Sequence, residues 1–203
     1  QINVIKRNGR GKESLNIDKI HSMVGFATEG ITGVSASHVE MNSGLQFFDG
    51  ISTDDIQQIL IKSANDLISL ESPNYQYVAA RLLLFSLRKN LFHRLWEHPK
   101  FIDHIKKLID LGLYDKGILE NYTEAEIDRM GMWIDHERDY SFTYAGLRQV
   151  MDKYLVQDRS TGEIYETPQF MYMMISATLF AKYPTESRLQ YVKKYYDAIS
   201  KFK

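Results

Sequence analysis

The sequence predicts a mainly α-helical fold with small β-hairpins, and three observations support that fold class. Apolar residues recur at intervals of three and four over long stretches, for example from Ile56 to Leu67. Serine, threonine or aspartate precedes most of these stretches, as expected at helix N-termini. Two glycine-containing turns, at residues 8–9 and 160–162, separate short β-branched or alternating segments, which is typical of hairpins.

The first half of the chain predicts one hairpin followed by four helices. Strands at residues 2–6 and 13–17 flank the first turn, and the fourth helix should run to about Phe92. Each helix should begin beside a side chain that can accept a hydrogen bond from the first free backbone N–H groups. The expected starts are, in order, Asp18, Ser35 or Ser37, Thr53, and Ser72 with Pro73.

The second half predicts five more helices and a second hairpin. The helical pattern breaks near residues 96–99, so we place a domain boundary there, with domains at residues 1–93 and 94–203. Thr123 and Glu126 have the spacing of a capping box, and residues 154–157 should pair with 163–166. The expected helices cover about residues 100–111, 123–134, 143–153, 167–183 and 185–203.

Composition excludes several classes of function. The net charge of −1 creates no field that attracts nucleic acid or a membrane, so neither is an expected partner. No apolar stretch approaches the ~20 residues that span a bilayer, and no signal peptide is visible, so we expect a cytoplasmic protein. The absence of cysteine excludes disulfides and thiolate chemistry. The first residue is not Met and the last helix has no stop signal, so we expect a piece of a longer chain.

The first hairpin carries an excess of positive charge. Converging cations, together with free N–H groups at a turn or helix start, would suit a polyphosphate. A solvated basic hairpin tip is the alternative, and charge alone does not separate the two. A P-loop is excluded, because Glu13 stands where that motif requires Ser or Thr. The cations are Lys6, Arg7, Arg10, Lys12 and Lys19.

The other polar clusters favour structural roles. Asp54 and Asp55 fall in the first turn of the third helix, where carboxylates stabilise the helix dipole. The run from His136 to Asp139 is better explained as an ion-pair cluster than as a catalytic dyad, because adjacent residues do not share a helix face. None of the six histidines has the spacing of a metal site, and we expect no metal.

A set of short motifs resembles the ATP-cone family in both content and order. The motifs are VIKRNG at residues 4–9, NIDKI at 16–20, DGISTDDI at 49–56, PNYQYVAARL at 73–82 and LRK at 87–89. The second half, with YLVQDR at 154–159, TGEIYE at 161–166 and RLQYVK at 188–193, is similar to the N-terminal catalytic segment of class I ribonucleotide reductase large subunits. A zinc-ribbon repressor that also carries a cone would need cysteines. The resemblance therefore implies a β-hairpin lid on a four-helix bundle, followed by the helical start of a reductase domain.

The resemblance also implies a ligand and its contacts. The cone would bind ATP as activator or dATP as inhibitor, with or without Mg²⁺. By the family pattern, phosphates would contact Lys6, Arg7, Lys19 and Lys89. Adenine and sugar would lie against Val4, Glu13, Ser14, Leu15, Asn16, Ile17, Asp18, Ile20 and Thr53. Gln57 stands where the family often has histidine. Because it cannot carry charge, we expect weak discrimination of dATP from ATP and weakened dATP inhibition.

Finally, the resemblance implies partners and an enzyme. The partners would be the rest of the large subunit, a large-subunit dimer and a small radical-generating subunit. The family reduces ribonucleoside diphosphates to deoxyribonucleotides for DNA synthesis by cysteine radical chemistry. This chain, lacking cysteine and ending before the catalytic barrel, should be inactive alone. The alternative is a free-standing helical interaction module that senses no nucleotide, which would not need Lys6, Arg7, Lys19 and Lys89 to converge.

Overall fold

The computed structural model describes residues 2–6 and 11–201, and this range is mostly helical with one small sheet. The predicted fold class is confirmed. Contacts divide the chain into two compact units, Gln1–Leu87 with Tyr140–Gln149 and Arg88–Asp139 with Val150–Lys203. The single boundary expected after residue 93 stays a prediction of the sequence. None of the helices in the described range is long and apolar enough to cross a membrane.

The sheet in the first unit has three strands, one more than expected. They are β1 (Asn3–Ile5), β2 (Lys12–Ser14) and β3 (Ile51–Ser52). β1 lies in the middle, antiparallel to β2 and parallel to β3. The expected second strand at residues 13–17 was too long, since it ends at Ser14 and a helix begins three residues later. The predicted turn at residues 7–11 lies mostly outside the described residues.

Four helices follow in the first half of the chain, as predicted. They are α1 (Ile17–Thr28), α2 (Ala36–Gly44), α3 (Thr53–Asp66) and α4 (Tyr75–Phe92). Ser35 caps α2 as expected. Two other caps were placed wrongly: Asn16, not Asp18, caps α1, and Ser52, not Thr53, caps α3. In both cases a neighbouring side chain with equal capping chemistry has the extended backbone that the cap position requires.

The core of the first unit forms where the helices pack on one another and on the sheet. Val4 and Ile51 are buried on the sheet, and α4 is apolar over most of its surface. Arg81 of α4 donates a hydrogen bond to the carbonyl oxygen of Glu29 at 2.8 Å, at the end of α1. Its guanidinium also lies 5.3 Å from the ring centroid of Tyr140. Arg81 therefore ties three segments of the first unit together.

The later helices lie close to the predicted positions. They are α5 (Phe101–Asp110), α6 (Gly117–Asn121), α7 (Glu124–Trp133), α8 (Tyr144–Lys153), α9 (Pro168–Leu179) and α10 (Arg188–Ser200), with a 3₁₀ helix at His136–Ser141. The capping box of α7 is present. The five-residue α6 and the 3₁₀ helix were not predicted. Of the predicted second hairpin, the described residues contain one isolated antiparallel β-bridge, between Gln157 and Ile164.

Two charged side chains of the run from His136 to Asp139 contact other helices of the second unit. Arg138 pairs with Asp197 of α10 at 2.8 Å. Asp139 is buried and accepts a hydrogen bond from Gln169 of α9 at 2.8 Å. Each side chain therefore joins this segment to another helix of the second unit.

Candidate functional site

Besides its pairing with β3, strand β1 forms three hydrogen bonds with residues between Asp49 and Thr53. The N–H of Asn3 donates to Oδ1 of Asp49 at 2.8 Å, and the N–H of Gly50 donates to the carbonyl of Asn3 at 2.9 Å. The hydroxyl of Thr53 donates to the carbonyl of Ile5 at 3.2 Å. A pair of short strands is only marginally stable in isolation. These hydrogen bonds therefore give the hairpin a defined position on the helices.

Most of the described cations of the hairpin region form no ion pair with other described residues. Lys6 pairs with Glu13 across β1 and β2 at 3.0 Å, with both side chains about half exposed. Lys12 and Lys19 are exposed and form no ion pair with other described residues. Arg7 and Arg10 lie outside the described residues. An anion arriving here would meet solvent-accessible charge that costs little to redirect.

The start of α1 presents polar and apolar groups side by side. The side chain of Asn16 accepts a hydrogen bond from the N–H of Lys19 at 3.2 Å. Ile17, the first residue of the helix, is 69% exposed, and Ile5 on β1 is 37% exposed. Exposed apolar side chains near lysines suit a ligand that has a flat apolar face and a charged tail.

Gln57, one turn into α3, is buried rather than open to solvent. Its Nε2 donates to Sδ of Met23 on α1 at 3.1 Å. Its Oε1 is buried and has no partner among the described residues. A buried amide oxygen without a donor is unfavourable, so Gln57 keeps an unused acceptor inside the first unit.

The structure brings many of the predicted residues into one region of the first unit. Val4, with Glu13 opposite it, lies on the sheet, and Thr53 bonds to β1. Leu15 bonds back to Ile2, so the chain passes from β2 directly into α1. The remaining members of this region are Lys6, Ser14, Asn16, Ile17, Asp18, Lys19, Ile20 and Gln57. Lys89 lies in the last turn of α4, in a stretch assigned to the second unit.

Two residues that organise the site were missed from the sequence. Asp49 holds the N–H of Asn3, and Ser52 caps α3 by accepting a hydrogen bond from the N–H of Asp55 at 3.0 Å. Both lie in the motif at residues 49–56, where a turn precedes a helix. That turn chemistry was the available signal, although it does not reveal the bond to β1.

Comparison with known proteins assigns both parts of the chain. Residues 2–90 match the ATP cone domain, and residues 140–203 match the all-alpha domain of ribonucleotide reductase. The chain therefore combines a cone, whose sheet and helices form the candidate site, with a helical reductase domain.

The relatives identify the family more closely. The chain is 52% identical over 200 residues to ribonucleoside-diphosphate reductase 1 subunit alpha of Escherichia coli (strain K12). It is 52% identical to subunit alpha of Haemophilus influenzae and 45% identical, over 199 residues, to that of Enterobacteria phage T4. Each match covers 98% of this chain and 26% of the relative. The chain belongs to the ribonucleoside-diphosphate reductase alpha-subunit family and spans about a quarter of these relatives' length.

Proposed function

We propose that the first unit binds ATP or dATP and so regulates the overall activity of a ribonucleoside-diphosphate reductase. The observation that carries this proposal is the attachment of the cationic hairpin to α3 through Asp49 and Thr53. This attachment supports the proposal, because it fixes β1, which leads into Lys6, against Thr53, a residue that the cone motif assigns to the nucleotide.

The proposed contacts follow from the exposed groups. Phosphates would bind Lys6, Arg7 and Lys19, with Mg²⁺ present or absent. A phosphate can replace Glu13 as the partner of Lys6, because their pair is half exposed and weakly held. The released carboxylate of Glu13 then accepts hydrogen bonds from ribose hydroxyls, while the exposed Ile17 offers apolar surface to adenine.

The activity and partners of the whole subunit are part of the same proposal. The parent chain would reduce ribonucleoside diphosphates within a large-subunit dimer, with a radical from a separate small subunit. This chain has no cysteine, so it would not reduce nucleotides alone. The alternative is a helical interaction module that docks on a partner without binding nucleotide.

The melting temperature of the 203-residue chain, measured with ATP, dATP and CTP, distinguishes the nucleotide-binding function from the interaction module. A ligand at about a hundred times its Kd stabilises a protein by roughly 2.7 kcal/mol. We expect a raised Tm with the adenine nucleotides and little change with CTP. Equal melting with and without all three would favour the interaction module. Separately, the chain with small subunit and reductant should form no dCDP from CDP, and measurable dCDP would contradict the inactive fragment.

A further inference from the structure

A cavity that includes no residue of the hairpin opens in the second unit. It has a volume of about 410 Å³, within the range of small-molecule sites. The end of α4, the following linker and the first turns of α5 line it, together with Tyr165. Leu91, Phe92, Pro99 and Leu108 supply an apolar wall. None of these residues belongs to the first unit.

One wall of this cleft holds an imidazole in a fixed orientation. The ring of His98 stacks on His136 with centroids 3.6 Å apart and planes 3° from parallel, and Phe92 meets its edge at 5.6 Å. Burial, with a smaller contribution from Arg88, lowers the pKa of His98 to about 4, so the ring is neutral at physiological pH. Its Nε2 is buried and has no hydrogen-bond partner among the described residues. A buried ring nitrogen of this kind calls for a partner.

The mouth of the cleft carries two charges that the protein does not use. Asp103 and Lys107, one turn apart on α5, are exposed and form no ion pair with other described residues. The other two charged residues at the mouth, Arg94 and Glu97, form an ion pair with each other. One carboxylate and one ammonium therefore remain available, the first as an acceptor for hydroxyl groups and the second for an anion.

We propose that this cleft binds a nucleoside monophosphate. The heterocycle would lie against Phe92 and, after a local shift that opens the buried Nε2 of His98, would pair with that nitrogen. The ribose hydroxyls would donate to Asp103, and the phosphate would bind Lys107. A purely apolar ligand would leave the ring nitrogen unpaired, and inorganic phosphate would leave the apolar wall empty. A nucleoside with one charged tail satisfies all three features together. This site is independent of the nucleotide proposed at the hairpin.

The test titrates the 203-residue chain with AMP and CMP by calorimetry and follows the imidazole nitrogens by NMR. We expect saturable binding and a shifted His98 Nε2 resonance. Lys107→Gln and His98→Phe should each weaken binding roughly tenfold or more, since each removes one hydrogen bond. Lys106→Gln, on the neighbouring exposed lysine outside the cleft, should leave it unchanged.

The same titrations can overturn the proposal. No saturable binding of either nucleotide up to about 10 mM, a Kd too weak for a built site, would refute it. Binding that weakens in Lys6→Ala but not in Lys107→Gln would place the nucleotide at the hairpin and would also refute it. If His98→Phe does not fold, the exposed Lys107→Gln still decides the question.

Discussion

Two ion pairs, one in each unit, use charged side chains in opposite ways. At the hairpin, Lys6 and Glu13 meet at 3.0 Å with about half of each side chain exposed. In the second unit, Arg188 donates two hydrogen bonds to Glu126, at 2.7 and 3.1 Å, with side chains 10% and 13% exposed. An exposed pair can exchange partners at little cost, whereas a buried pair holds its helices together. The degree of burial, rather than the residue type, therefore determines whether a charged side chain can exchange its partner for a ligand.

Buried neutral polar groups do not divide between the units in this way. In the second unit, Tyr196 donates to Oε1 of Gln169, which in turn donates to Asp139, and all three side chains are buried. In the first unit, the buried Gln57 has one bond to a sulfur and an oxygen without a partner. Buried acceptors without a partner among the described residues therefore occur in both units, at Oε1 of Gln57 in the first and at Nε2 of His98 in the second.

The largest effect should come from Asp139→Asn. Burial raises the pKa of Asp139 to about 7, so the folded state keeps a proton that the unfolded state loses. Stability from this group is therefore present at low pH and is lost as pH rises from about 4 to about 7. Relative to wild type, Asp139→Asn should gain about 2–4 kcal/mol of unfolding free energy over that range.

Urea unfolding of both proteins at several pH values measures this difference. Because an asparagine amide without a partner adds a constant cost, only the change with pH is diagnostic. Parallel pH curves for Asp139→Asn and wild type would show that Asp139 is ionised in the folded protein.

Arg188→Met tests the buried pair directly. It leaves the carboxylate of Glu126 without its partner and removes the guanidinium 4.4 Å from the ring centroid of Tyr122. The unfolding free energy should fall by about 2–3 kcal/mol, somewhat less than for a fully buried pair. Lys193→Met, which breaks the half-exposed pair with Asp197 on the same helix, should cost about 0.5 kcal/mol or less. Equal costs in urea unfolding would remove the contrast between buried and exposed pairs.

Lys6→Ala tests the availability of the exposed charge. It should weaken ATP binding about tenfold, since one charge-assisted hydrogen bond is lost, while the Tm without ligand stays nearly unchanged. Lys62→Ala is the matched control, because Lys62 belongs to an exposed pair with Asp66 in the same unit. The cone motif gives Lys89→Ala the same expected loss. Calorimetry showing full affinity in both Lys6→Ala and Lys89→Ala would move the phosphate site elsewhere.

The smallest effect concerns Gln57→His. We expect wild type to distinguish dATP from ATP by less than about threefold, a difference below 1 kcal/mol. Histidine should widen the ratio, because an imidazole can carry charge where the amide cannot. Competition calorimetry with both nucleotides measures it. A wild-type preference above about tenfold would contradict the expected weak discrimination, and with it the expected weak dATP inhibition of the intact reductase.

The helices could be predicted because their information is local. The periodicity of α3 and the capping box of α7 are both visible over a few residues. β3 could not be predicted, because two residues have no period and become a strand only beside β1. The caps at Asn16 and Ser52 were missed by one or two residues, since adjacent side chains have the same chemistry and backbone geometry decides.

The candidate site divides in the same way. Its residues were predicted from motifs, and the hairpin cations could be named from charge alone. The burial of Gln57 and its bond to Met23 depend on the packing of α1 against α3, which no local pattern encodes. The bond from Asn3 to Asp49 is likewise a product of tertiary structure.

That bond has a consequence for the order in which the molecule is made. Asn3 leaves the ribosome before its side-chain partner Asp49, which follows 46 residues later. β1 therefore waits for α1 and α2 to be synthesised before its second neighbour exists, and closing that loop has an entropic cost. The hairpin should reach its final position late in folding, after the helices beneath it. A nucleotide bound there, as proposed, would stabilise the segment that reaches its native position last. Amide exchange at Asn3 should therefore slow when ATP is added.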